Sequence, residues 1–170
     1  MLNFLFRGLT ADIASGAPLF EALTRQARRA HWYVEGAVPD TLDGRFAVLA
    51  TLTSLTLVRL ESEGDAGNHA SVLLTERFIE VMESEHRELG MGDPTLGRTV
   101  RKLVGMLARR TDIWRSAGTG ETGWSEATRA SLYRGQGTPE TVRHSAEALK
   151  MFSDRLSATP LDRLQKGSIA

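Results

Sequence analysis

Glu83 and His86 are the pair whose types and spacing come nearest to a metal site, because Glu-x-x-His places both side chains on one face of a helix. Di-iron carboxylate bundles use this pair twice and add a glutamate from each of two other helices. The sequence has no second Glu-x-x-His pair, since Glu140 and His144 are four residues apart. We therefore interpret Glu83 and His86 as part of a solvated acidic helix face, and we predict no bound metal ion and no cofactor.

The remaining reactive side chains predict no catalytic centre. The chain has no cysteine, which excludes a thiol nucleophile, thiolate metal sites and iron–sulfur clusters. Gly90–Asp93 resembles half of a phosphate loop, but it lacks the lysine of such loops, and Asp93 would place a carboxylate where the anion binds. We predict that the chain is not an enzyme and has no small-molecule substrate. None of its four histidines lies within metal-ligand spacing of another: His31, His69, His86 and His144.

Charge is distributed unevenly along the middle of a chain whose formal net charge is zero. Nine acidic and two basic residues lie between Glu61 and Asp93, whereas six basic residues and one acidic residue lie between Arg98 and Arg115. One interpretation is that two neighbouring helices attract each other through complementary solvated faces. The other is that the basic helix binds an anionic surface, either lipid headgroups or ribosomal RNA. The balanced total charge argues against a DNA-binding protein.

The apolar stripe of the basic helix should face the core, so its basic side chains should project outward. The candidates for binding an anionic surface are Arg98, Arg101, Lys102, Arg109 and Arg110.

Helices must position these residues, because apolar residues recur at helical spacing and no segment alternates as a strand does. The 170 residues, of which 41% are hydrophobic and 25% charged, fit one soluble domain. We predict an all-α fold, a single-domain irregular bundle of about seven helices over residues 1–170. The predicted segments are an amphipathic N-terminal helix at 2–14, helices at about 18–33, 44–63, 69–89, 94–115, 124–134 and 139–159, and a tail at 161–170 that forms a short helical turn and then frays.

The helix predicted to start near Gly44 contains the longest uncharged apolar-rich run, Phe46–Val58. This run is too short for a membrane span and predicts a buried core helix. Asp43 is its predicted N-cap, and a glycine-rich break at 64–68 should follow it. The N-terminal helix leaves two interpretations open, since its apolar stripe could dock on the core or anchor at a membrane interface.

Two segments resemble the ubiquinol–cytochrome c chaperone family. Val38–Phe46 (VPDTLDGRF) is similar to the family's first signature, and Arg87–Asp93 (RELGMGD) is similar to its second, with a basic helix following as in the family. The resemblance spans about Arg25–Gly135. The chain departs from the pattern at Met106–Arg110, where an aromatic-Gly-Arg run is usual, and at Ser131, where Asn is expected. If these residues shape a client groove, client binding should differ.

The resemblance implies a non-enzymatic assembly chaperone. Members of this family assist biogenesis of the cytochrome bc1 complex, so the implied client is cytochrome b, nascent or newly inserted, or another bc1 component. The ribosome and the inner-membrane surface are further implied partners. No presequence is recognisable among the first residues, and the chain looks like a bacterial member, so we expect it to lack one and to act in the cytoplasm or peripherally at the cytoplasmic face of the inner membrane. The alternative is a peripheral membrane- or ribosome-associated helical adaptor with a different client.

The two signatures supply the candidate client-binding residues. Asp40 and Asp43 can accept amide hydrogens in the loop, and Arg45 offers a fork of donors that suits a carboxylate. We expect Arg45 to pair with Glu88 or Asp93 and so to join the two motifs. A buried capping network explains the same residues without a binding role, and that alternative stays open. The full set of candidates is Asp40, Thr41, Asp43, Arg45, Phe46, Arg87, Glu88 and Asp93.

Overall fold

Seven helices make up the part of the chain that the computed structural model describes, residues 16–88 and 96–169, with side chains at 16–84, 98 and 100–169. Single 3-10 turns at Ala30–Trp32 and Glu61–Glu63 precede and follow the second helix, and no strand occurs in these ranges. The all-α prediction is confirmed. The predicted helix at 2–14, with its two interpretations, lies outside the described residues. The helices are α1 (Ala17–Ala27), α2 (Leu42–Leu60), α3 (Gly64–Glu88), α4 (Leu96–Thr119), α5 (Trp124–Tyr133), α6 (Pro139–Ala158) and α7 (Leu161–Gln165).

The central helix is α2, in which residues 48–57 are buried without interruption. It contacts α1, α3, α4, α5 and α6. Buried hydroxyls would be costly without partners, but Thr53, Ser54 and Thr56 each donate to the carbonyl four residues earlier, at 2.8–2.9 Å. The predicted core helix over Phe46–Val58 is confirmed. None of the helices within 16–88 or 96–169 combines the length and the apolar composition that a membrane crossing needs.

The first described helix, α1, ends at Ala27, earlier than the end predicted at residue 33. Arg29 is extended, with ψ of 135°, and two aromatic side chains beyond it satisfy the last carbonyls of the helix. Trp32 Nε1 donates to the Gln26 carbonyl at 2.9 Å, and the Tyr33 hydroxyl donates to the Ala27 carbonyl at 2.7 Å. The prediction was wrong here because these hydrogen bonds, which periodicity does not reveal, end the helix.

The predicted break at 64–68 is confined to Gly64, whose φ of 59° and ψ of −140° lie outside helical values. Because α3 begins at once, Gly67 is helical. A Cβ on Gly67 would overlap the Leu60 carbonyl oxygen, so glycine at this position permits close packing of α3 against the end of α2. Gly67, which indicated a loop in the sequence, therefore lies in α3 and allows α3 to contact the end of α2.

The tail begins with α7, which confirms the predicted short helical turn, and the described residues after it to 169 stay packed on the bundle where fraying was predicted. Leu164 is fully buried, and Ile169 packs against the core. α7 contacts α1, and Gly167 adopts a φ of 73° where the chain turns against Pro18. Burial of these apolar side chains offsets the conformational entropy that fraying would release.

Candidate binding cavity beside the first signature

The first signature forms the loop that enters α2, and its N-cap is Thr41 rather than the predicted Asp43. Thr41 is extended, and its hydroxyl oxygen accepts a hydrogen bond from the Gly44 amide at 3.2 Å. Asp43 lies in the first helical turn, where the helix dipole favours a carboxylate, and pairs with Arg134 at 2.8 Å. A Cβ on Gly44 would overlap the Pro39 carbonyl oxygen, so this loop packs against the helix only because residue 44 is glycine.

Arg45 pairs with Asp40, its neighbour within the same signature, and both side chains are mostly exposed. Arg45 Nε lies 2.6 Å from an Asp40 carboxylate oxygen. This hydrogen bond holds the pKa of Asp40 below its ordinary value. The predicted partners Glu88 and Asp93, like Arg87, lie outside the described side chains, so a link between the two signatures stays a prediction.

A cavity of about 750 Å³ opens between this loop, α4 and the C-terminal end of α5. Five of the predicted site residues line it: Thr41, Asp43, Phe46, Lys102 and Arg110. Asp40 and Arg45 lie outside its lining. The other lining residues are Ala37, Pro39, Gly44, Ala47, Met106, Ser131, Leu132, Tyr133, Arg134, Gln136 and Gly137. The structure thus joins the first signature to both places where the sequence departs from the family pattern, Met106 and Ser131.

Backbone strain is concentrated at the rim of this cavity. Ala37, with φ of 47°, and Arg134, with φ of 51°, are the non-glycine residues with positive φ in the described chain, and both line the cavity. Each such conformation costs on the order of 1 kcal/mol or more and persists only where surrounding contacts impose it. At Arg134 the positive φ also ends α5, as helix C-caps commonly do, so Ala37 is the more specific sign of a functional site.

Tyr133 ties the cavity wall to the rest of the bundle. Its hydroxyl donates towards the carbonyl oxygens of Gly36 at 2.5 Å and Thr141 at 3.0 Å, and it lies within hydrogen-bond distance, 2.8 Å, of Ser145 Oγ on α6. Burial raises the pKa of Tyr133, so the phenol stays protonated near neutral pH. This network fixes the loop after α5 relative to the loop before α2.

Arg110 departs from the outward orientation predicted for the basic helix. Arg98, Arg101, Lys102 and Arg109 are exposed as predicted, whereas Arg110 is half-buried in the cavity wall. Its Nη2 donates to the Ser131 carbonyl at 3.1 Å, and its Nη1 contacts the Met106 sulfur. Burial lowers the pKa of Arg110, and the charges of Arg109 and Arg134 lower it further. The prediction was wrong because α5 packs across this face of α4.

An ion pair near the C-terminal end of α4 accounts for part of the uneven charge distribution along the chain. Arg115 donates to both carboxylate oxygens of Glu61, at 2.6 and 3.0 Å, and also pairs with Asp112. The basic helix is therefore joined to the acidic stretch by an intramolecular ion pair. At this end of α4, the ion pair supports the interpretation of complementary helix faces. The four exposed cations that precede it on α4 leave open the interpretation that the helix binds an anionic surface.

Several cavity residues were missed by the sequence analysis, notably Ala37, Tyr133, Arg134, Gln136 and Gly137. Their backbone conformations and contacts depend on segments about a hundred residues apart, and nothing local distinguishes Arg134 from other helix-terminal arginines. The usable signal was Ser131, which departs from the family pattern and lies on the cavity wall.

Comparison with known proteins relates the chain to one family. The family model for the ubiquinol–cytochrome C chaperone matches residues 35–169, which include every residue lining the cavity. The crystal structure of the Cbp3 homologue from Brucella abortus is similar in fold, with a TM-score of 0.79 and 24% sequence identity, over 100% of this chain and 96% of that one. Comparison with curated proteins gives no match. The chain belongs to the ubiquinol–cytochrome c chaperone family.

Proposed function

We propose that this chain is a non-enzymatic assembly chaperone for the cytochrome bc1 complex and that it binds cytochrome b, nascent or newly inserted. The observation that carries the proposal is the family match over residues 35–169, which contains the whole cavity beside the first signature. The proposed place of action is the cytoplasm and the cytoplasmic face of the inner membrane, where a newly made membrane subunit first needs protection.

The cavity supports this role through its size and its lining. Its volume of about 750 Å³ lies within the range of protein binding pockets, roughly 300–1,000 Å³. Phe46, Met106 and Leu132 supply apolar wall, and Lys102 and Arg110 add positive charge. Such a lining suits a short peptide segment that places apolar side chains inside while the rest of the client stays outside. Holding a segment in this way needs no bond-making chemistry.

Deletion of the gene tests the proposal. Cells without the chain should contain less assembled bc1 complex, and the level should return when the wild-type chain is supplied. Phe46→Ser and Met106→Ser together should restore it poorly, because they make the cavity wall polar, whereas Met151→Ser on the exposed face of α6 should restore it fully. A normal bc1 level in the clean deletion would count decisively against the proposal.

The second candidate function is association with an anionic surface, and the exposed cations of α4 favour it. Arg98, Lys102 and Arg109 recur at helical spacing, with Arg101 beside them, and all four are exposed. The chain should sediment with anionic vesicles or with ribosomes at low salt and be released at high salt. Arg98→Glu, Arg101→Glu and Arg109→Glu together should abolish sedimentation, while the same reversal at Arg143 and Lys150 on α6 should not. No sedimentation of the wild type at low salt would remove this candidate.

A further inference from the structure

Arg110 is a half-buried cation without a carboxylate partner among the described residues. Its Nε is buried and has no hydrogen-bond acceptor in the described chain. Its other donors reach the Ser131 carbonyl and the Met106 thioether, which is a weak acceptor. Among the described residues that line the cavity, Asp43 is the one carboxylate, and it pairs with Arg134 instead. A buried guanidinium left in this state carries a desolvation cost that an incoming anion would relieve.

The same cavity wall contains a second unsatisfied polar group. Ser131 Oγ is buried and has no partner within the part of the chain that the structure describes. The backbone carbonyl of Ser131 already accepts from Arg110, so the two residues are in contact. Buried polar groups usually have partners, so two unsatisfied donors on contacting residues that line one cavity favour a missing acceptor there.

We propose that this cavity binds the carboxylate of an acidic side chain in a peptide segment whose neighbouring residues are apolar. The inference rests on the proposed function, because the peptide would be a segment of the client. A carboxylate offers acceptor oxygens to both unsatisfied donors, Arg110 Nε and the Ser131 hydroxyl, and because these atoms are shielded from solvent the side chains of the cavity wall must shift for it to reach them. The flanking apolar side chains of the peptide would contact Phe46, Met106 and Leu132.

The apolar walls of the cavity favour a carboxylate over a phosphate. Lys102, Arg110 and Arg134 supply three positive charges, and Asp43 supplies one negative charge at the same lining. The net positive charge attracts either anion, but Arg134 is already paired with Asp43, and the apolar walls penalise the larger desolvation of a dianion. A singly charged, planar acceptor fits these surroundings best.

A structural role for Arg110 predicts different behaviour. The Ser131 carbonyl lies in the last turn of α5, so Arg110 also stabilises the negative end of that helix dipole. If this were its whole role, replacing Arg110 would lower the unfolding temperature and leave peptide selectivity unchanged. Selectivity between charged and neutral peptides therefore separates the two roles.

Calorimetric titration of the full chain with synthetic peptides tests the inference. The probe is an acetylated, amidated peptide of leucine, phenylalanine and serine with one central glutamate. The companion peptides replace that glutamate with glutamine, with phosphoserine, or with glutamine plus a free C-terminal carboxylate. The wild-type chain should bind the glutamate peptide about tenfold more tightly than each of the other three. This comparison uses the unaltered protein, so it does not depend on whether any variant folds.

Two matched variants complete the experiment. Arg110→Gln should bind the glutamate and glutamine peptides equally, whereas Arg143→Gln, at an exposed cation of α6, should keep the tenfold preference. Equal binding of both peptides by the wild type, a preference for phosphoserine or for the free C-terminus, or the same loss in both variants would overturn the inference. If selectivity is absent while gene deletion still lowers the bc1 level, the carboxylate inference alone is wrong and the proposed function stands.

Discussion

At the scale of single residues, Gly44 is the position where the structure leaves no room for a side chain. A Cβ there would overlap the Pro39 carbonyl oxygen in the loop of the first signature. Gly44→Ala should lower the free energy of unfolding by about 2–3 kcal/mol, measured by urea denaturation, because the loop must shift away from α2. Gly118→Ala is the matched control, since a Cβ there meets nothing within 4 Å. It should stabilise α4 by about 0.5–1 kcal/mol. Equal effects would contradict the close packing.

His31 makes the stability of the chain depend on pH. Its Nδ1 lies 3.3 Å from Nε2 of His144 on α6. Burial lowers the pKa of His31 below its ordinary 6.5, and the charges of His144 and Arg29 lower it further. The unfolded chain therefore binds more protons than the folded chain below pH 6.5, so the stability contributed by neutral His31 is present above that pH and is lost as pH falls below it.

Thermal unfolding between pH 8 and pH 5.5 measures this dependence. The unfolding temperature of the wild type should fall as pH drops through 6.5, and His31→Gln should flatten that part of the curve. His69→Gln, a change at an exposed histidine of α3, should leave the curve unaltered. A wild-type curve that is flat across this range would contradict the assignment.

At the scale of elements, α7 is the clearest test of how the chain ends. Leu164 is fully buried, although α7 is only one turn long and lies near the end of the described chain. Leu164→Ala should lower the free energy of unfolding by about 2–5 kcal/mol, because it removes buried surface and leaves a cavity. Met151→Ala, at a side chain that is 66% exposed, should change it by less than about 0.5 kcal/mol. A negligible effect at Leu164 would mean that the tail frays in solution.

Elements with strong local signals were predictable from sequence, and elements that end through tertiary contacts were not. α6 starts at Pro139 behind the Thr138 cap and stops before Pro160, as its capping residues predict. α1 ends early because Trp32 turns back to bond a carbonyl of the helix. Gly67 lies inside a helix because α3 packs on the end of α2. Apolar periodicity and turn residues record local preference, whereas these outcomes depend on neighbours.

At the scale of the whole molecule, the cavity is assembled from segments that are remote in sequence. Residues 37–47, three positions on α4 and residues 131–137 meet around it. The signature predicted its first wall, because Thr41, Asp43 and Phe46 belong to that motif. The second wall could not be predicted, since a sequence does not reveal that the end of α5 lies across α4 and covers Arg110. A cation assigned to the outer surface thus belongs to the cavity.

The proposed function makes one claim about the molecule as a whole, that a client segment occupies this cavity. Site-specific photo-crosslinking in living cells tests it most directly. A photoreactive residue would replace Met106 in the cavity wall or Met151 on the exposed face of α6. The experiment would use deletion cells in which each substituted chain restores the bc1 level. We predict that irradiation joins position 106 to cytochrome b and leaves position 151 without that adduct. No cytochrome b at position 106, or equal amounts at both positions, would contradict the claim.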